Sequence, residues 1–162
     1  MQGGTCTQQK STGVSNLRDA RARRTRERID AAFVDLLHRR TYDGIRVSDV
    51  TRQSGVGRAT FYAHHASKDA LLRSQMERLV VPRLRPAPPE QALLDATPFF
   101  AHVLEAPWIY RSLMTGAGRR VVTEAVEARV AAILEGAPRP AHDIPAPLVA
   151  RVVAYALIGL VS

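Results

Sequence analysis

The stretch VSDVTRQSGVGRATFYAHHASKDALL, residues 47–72, decides the fold of this chain. Val47 to Ser54 reads as a short helix with Val47 and Val50 on its inner face, and Gly55 ends it. The chain must reverse there in little space, and glycine reaches a positive φ at no steric cost. Val56 plugs the corner, and a second short helix follows over 58–64. Ser67 is placed to cap a longer helix carrying Ala70, Leu71, Leu72, Met76, Leu79 and Val80, with Asp69 at its positive end. Pro82 stops or kinks that helix.

Two short helices joined by a glycine turn, the second rich in hydrogen-bond donors, form a helix-turn-helix. In this arrangement the first helix braces the second, which must enter a major groove about 12 Å wide. Gly57 and Ala59 keep its leading end slim, and Arg58 suits a bidentate pair with guanine. Thr60, Tyr62, His64 and Lys68 are donors fitted to phosphate oxygens, which fix register without reading sequence. Phe61 is expected to face inward, towards Phe33 and Val50. Ser48, at a helix start, either touches a phosphate or caps the helix.

Working outward, Ile29, Ala32, Phe33, Leu36 and Leu37 recur at spacings of three and four, the apolar stripe of an amphipathic helix. Ahead of it runs Arg21, Arg23, Arg24, Arg26 and Arg28, either a solvated face or a helix end lying near phosphates. Residues 1–20 are polar and aperiodic, so a disordered leader is expected. Downstream, RPAPPE (85–90) is a proline-rich break. Thr97-Pro98 then starts a helix, threonine as cap, and Pro107 opens another that Gly116 closes. Val122 to Leu134 mark a long amphipathic helix, and an apolar one begins at Leu148. There is no period-two strand pattern. The fold class is therefore all-α: a disordered leader (1–20), a three-helix DNA-binding domain (21–68), a connecting helix (69–84) and a helical effector or dimerisation domain (85–162).

Charge agrees with this division. The 162 residues carry a net charge of +8, but residues 1–85 hold 17 Lys and Arg against 8 Asp and Glu, and residues 86–162 hold 6 against 7. A basic half joined to a near-neutral apolar half points to a polyanion reader attached to a second function. One cysteine, Cys6, rules out an intrachain disulfide framework and fits a reducing cytoplasm. The leader has no signal-peptide core, and the longest apolar run, Val152 to Val161, is too short to span a bilayer, so no membrane partner is expected.

Residues 47–72, and VGRATFYAHHASKDALL within them most specifically, resemble the DNA-binding domain of the TetR family of bacterial regulators. That resemblance covers about residues 24–80. It implies that Arg58, Ala59 and Tyr62 sit at base edges while Thr60, Tyr62, His64 and Lys68 hold the backbone. It further implies a repressor that binds a double-stranded DNA operator as a homodimer and is released by a small-molecule effector. A weaker resemblance, through TPFFAHVLEAPWIYRSLMTGAGRRVV, is to the ligand and dimerisation domain of one TetR subgroup.

Three positions depart from the family pattern: Arg46 where a capping threonine is common, Thr51 where alanine is usual, and His65 where an aromatic follows the histidine. The family completes a C-terminal helix pair that forms a four-helix bundle between subunits. This chain stops at Ser162, within the first of that pair, so a truncated effector domain with impaired dimerisation is one expectation.

In the apolar half, His102, Trp108, Tyr110, Arg111 and Met114 either line an effector pocket or belong to core and interface. The competing class is a non-specific, nucleoid-type DNA-binding protein, with steep salt dependence and little sequence discrimination. No nucleophile elbow, zinc-protease helix, phosphate loop or acid/base pair is present, so no enzyme, cofactor or metal is expected. The adjacent His64 and His65 diverge on a helix and lack a carboxylate at ligand spacing.

Overall fold

The structure, a computed structural model, describes residues 9–88, 94–136 and 144–161, with side chains from Asp19 onward. Eight α-helices occupy these residues, with a two-residue antiparallel strand pair between the fourth and fifth. Helix α1 (Gln9–Arg39) carries the apolar stripe, and Ile29, Ala32, Phe33, Leu36 and Leu37 are all buried. Its start corrects one expectation: residues 9–20 of the supposed disordered leader are helix, and residues 1–8 lie outside the described residues. Once 21–39 is helical, each added residue gains a hydrogen bond without a new nucleus, and Leu17, Arg18 and Ala20 are good helix formers.

A 3₁₀ turn, Tyr42–Gly44, leads into α2 (Val47–Ser54). Gly55 adopts φ 63°, ψ 30°, the left-handed conformation that closes α2, and Val56 is buried behind it. Helix α3 (Arg58–His64) has the expected bounds, and in α4 (Lys68–Gln75) the Ser67 hydroxyl accepts from Ala70 N at 3.0 Å, as a cap should. The helix expected to run to Val80 widens into a π turn over Met76–Val80, then a 3₁₀ turn over Val81–Arg83. Pro82 explains this, because it has no N–H for the carbonyl of Arg78 and its ring crowds that carbonyl.

Strands β1 (Arg85–Pro86) and β2 (Leu94–Asp95) pair with Arg85 opposite Asp95, a hairpin that side-chain alternation could not reveal in two-residue strands. The cap of α5 (Thr97–Glu105) is a correction: Thr97 is its first residue, and Asp95 Oδ1 accepts from Thr97 N at 2.9 Å. Helix α6 (Pro107–Leu113) follows. Gly116 begins α7 (Gly116–Gly136) rather than merely closing α6, and α8 (Ala146–Gly159) packs along α7.

One continuous core runs through the molecule. Phe33, Val50, Phe61 and Leu71 of the first half belong to the same buried cluster as Phe99, Tyr110, Val122, Ile133 and Ile158 of the second. The proline-rich break in the sequence thus does not divide the core. Among the described residues no helix is long and apolar enough to cross a membrane.

Candidate nucleic-acid interface

Helix α3 is fixed by one buried side chain, Phe61, and presents Arg58, Ala59, Thr60, Tyr62 and Ala63 to solvent. Tyr62 remains 47% exposed although it is aromatic and packs edge-on against Phe61, so its outer face is open to a partner. His64 is half-buried, and Ser48 is exposed on the first turn of α2. All of the residues assigned to DNA contact except Lys68 therefore lie on α3, at its entrance or on the brace helix beside it.

Gly57 precedes α3 with φ −66° and ψ 151°, a backbone that any residue adopts. A Cβ there would meet nothing closer than Thr60 Oγ1 at 4.0 Å. Neither the backbone nor the interior requires glycine at this position. Its effect is to leave the approach to α3 clear.

The brace is built from short polar contacts. Arg28 of α1 reaches across and donates to the carbonyls of Ser54 (2.7 Å) and Gly55 (3.2 Å), satisfying the C-terminal end of α2. Arg46 holds the N-cap position of α2 without a side-chain cap, and its backbone N–H donates to Asp49 Oδ2 at 2.9 Å, the reciprocal half of a capping box rather than the bond a threonine there would accept. That hydrogen bond, with help from Arg52 and Arg40, holds the Asp49 carboxyl below its ordinary range. With Arg46 as the cap, Ser48 is free of that role. Thr51 is buried, and its hydroxyl donates to the carbonyl of Ser48 at 3.1 Å, so the larger residue brings no unpaired polar group. His65 is different. Only 5% exposed, it lies beside Phe61 with Nε2 lacking a hydrogen-bond partner among the described residues, and burial pushes its imidazole pKa down.

Lys68 is committed largely to the fold. Its ammonium donates to the carbonyls of Tyr42 and Ile45, both at 2.8 Å, and lies 4.0 Å above the Tyr42 ring. These two bonds use two of its three N–H groups. Partial burial lowers its pKa.

Contacts that the sequence did not reveal tie this head to α7. Tyr42 Oη donates to Asp69, and Arg120 donates to Asp69 (2.7 Å) and Glu124 (2.8 Å). Arg73 also reaches Glu124, at 2.9 Å. Asp43 Oδ1 accepts from Ala117 N at 3.2 Å, at the start of α7. Gly116, at φ 50°, lies so close that a Cβ would stand 1.9 Å from Asp43 Oδ2, and one on Gly118 would stand 2.7 Å from the Leu113 carbonyl. Two glycines two apart at a helix start were the available signal of such a close approach.

The five candidates in the apolar half do not converge. Tyr110 and Met114 are buried in the core, and His102 meets the Tyr110 ring edge-on at 6.0 Å. Trp108 packs on His38 of α1 at 4.4 Å and lines a separate surface groove, while Arg111 is exposed. Tyr110 Oη and His102 Nδ1 are buried without a hydrogen-bond partner among the described residues, the Glu105 carboxylate being 3.7 Å from His102 Nδ1. Burial raises the Tyr110 pKa and lowers that of His102. No cluster of three or more metal-ligating side chains occurs among the described residues.

A slim, exposed helix set on a braced glycine corner is the geometry of a helix-turn-helix. Residues 29–74 match the profile described as "Bacterial regulatory proteins, tetR family". Over 61 residues the chain is 48% identical to the "Uncharacterized HTH-type transcriptional regulator YxbF" of Bacillus subtilis (strain 168). That match takes in 37% of this chain and 16% of the relative. Residues 29–74 are thus similar to the DNA-binding domain of the TetR family, and the chain spans about a sixth of the length of the relative that it matches.

Proposed function

We propose that this protein is a sequence-specific DNA-binding transcriptional regulator whose α3 enters the major groove. The observation that carries this reading is the surface of α3, where a single buried Phe61 leaves Arg58, Ala59, Thr60 and Tyr62 exposed behind an unobstructed Gly57. Arg58, Ala59 and Tyr62 then face base edges, while Ser48, Thr60, Tyr62, His64 and the remaining N–H of Lys68 hold phosphates.

The protein acts as a repressor and as a homodimer. Leu148, Val152 and Tyr155 share one face of α8, all more than half exposed, opposite the buried Ala150, Ala154 and Leu157. An apolar face of this kind fits a second copy. Paired heads then meet half-sites related by the same two-fold symmetry.

A small molecule releases the protein from DNA. Tyr110 Oη and His102 Nδ1, buried without a hydrogen-bond partner among the described residues, support a polar anchor in the second half, and the contacts of Asp43 and Asp69 with α7 support mechanical connection to the head. For release, the ligand must bind the non-binding geometry better than the binding one.

Selection of duplexes from a random-sequence library tests the reading. The expected outcome is a recurrent motif for the unaltered chain and relaxed preference at one position for Arg58→Ala. Enrichment of no motif, with steep salt dependence, would instead favour a nucleoid-type protein.

A further inference from the structure

Arg21, Arg24 and Arg28 stand on one face of α1, at spacings of three and four. With Thr25 they form one wall of an open cleft of about 430 Å³, and Gly55, Val56, Gly57 and Thr60 form the other. Among the described residues no carboxylate lines this cleft. Arg28 is engaged with the Ser54 and Gly55 carbonyls, so it builds the wall. The Thr25 hydroxyl is turned back to the carbonyl of Arg21. Arg21 and Arg24 are exposed, and neither has an ion-pair partner among the described residues, whereas Arg23 on the opposite side pairs with Glu27 at 3.7 Å.

Two uncompensated guanidiniums a turn apart on a helix repel each other, and a shared anion relieves that repulsion through charge-assisted hydrogen bonds. The cleft opens beside Gly57 and Thr60, at the leading end of α3. We propose that it seats one backbone phosphate of duplex DNA, held by Arg21 and Arg24, on the strand bordering the segment that α3 reads. This rests on α3 being the reading helix. The footprint then extends beyond the helix-turn-helix to α1, with affinity but no base information coming from this contact.

A salt titration of binding to a fluorescein-labelled mixed-sequence duplex, followed by anisotropy, tests it. Each neutralised phosphate contributes about 0.9 to the log–log salt slope. R21Q/R24Q is expected to flatten the slope by about that amount, whereas R21K/R24K keeps it. R111Q/R119Q, which removes the same charge from exposed positions on α6 and α7, is expected to match the unaltered chain. The base preference of R21Q/R24Q in library selection stays unchanged, and so does its thermal midpoint, because both side chains are exposed. A slope for R21Q/R24Q equal to that of R111Q/R119Q would overturn the proposal. Failure of the unaltered chain to bind any duplex at low salt would overturn the reading of α3, a distinct result.

Discussion

At the scale of single residues, Gly57 separates folding from function. Its backbone suits alanine and a Cβ there meets nothing closer than Thr60 Oγ1 at 4.0 Å, so Gly57→Ala is expected to leave stability unchanged or to raise it by about 0.4–1 kcal/mol. DNA affinity is expected to fall, because the methyl group stands at the entrance to α3. Thermal melts and anisotropy on the same preparation check both parts, and a variant that binds normally would show that the entrance is not a contact. His65 gives a pH prediction. Burial holds its folded-state pKa below the ordinary 6.5, so the folded chain binds fewer protons than the unfolded chain as pH falls through that region. Stability from this residue is therefore complete above about pH 6.5 and is lost below it. His65→Phe is expected to add about 1 kcal/mol by removing an unpaired buried nitrogen, and to flatten the acid slope in urea melts. Some slope remains, since His102 shifts in the same direction. The residues of α3 were legible in sequence because their exposure follows from helix period and one inward phenylalanine. The double commitment of Lys68 was not, because both carbonyls that it serves lie more than twenty residues away in sequence.

Among the elements, the corner and the start of α7 hold the head in place. Gly55→Ala is expected to cost about 1–2 kcal/mol, the penalty for a left-handed L-residue, with Arg28 also displaced. Asp43→Ala removes an acceptor from the first turn of α7 and is expected to cost about 1 kcal/mol by urea denaturation. An unchanged midpoint would show that α7 does not depend on this contact. Helices α2, α3 and α4 were legible from glycine, serine and apolar spacing. The π turn was not, because a proline announces that a helix stops without saying whether it first widens. Asp43 escaped for another reason: Tyr42-Asp43-Gly44 reads locally as a breaker, and its partner is 74 residues away.

At the scale of the whole molecule, the division into a basic and an apolar half was visible in charge alone, but the single core crossing it was not. Periodicity assigns a face to each helix and leaves the partner of that face open, as α8 illustrates by being apolar on two sides. If its exposed face joins two copies, V152E/Y155E should halve the mass seen in sedimentation and weaken binding to two-fold sites. Unchanged mass would place the dimer contact elsewhere. The central claim is that α3 reads bases, and the most direct measurement is library selection performed in parallel with the unaltered chain and with Arg58→Ala. The expected result is one recurrent motif for the unaltered chain, with discrimination at a single guanine position reduced by about 1–3 kcal/mol in the variant. Identical motifs at identical strength from both proteins would contradict it.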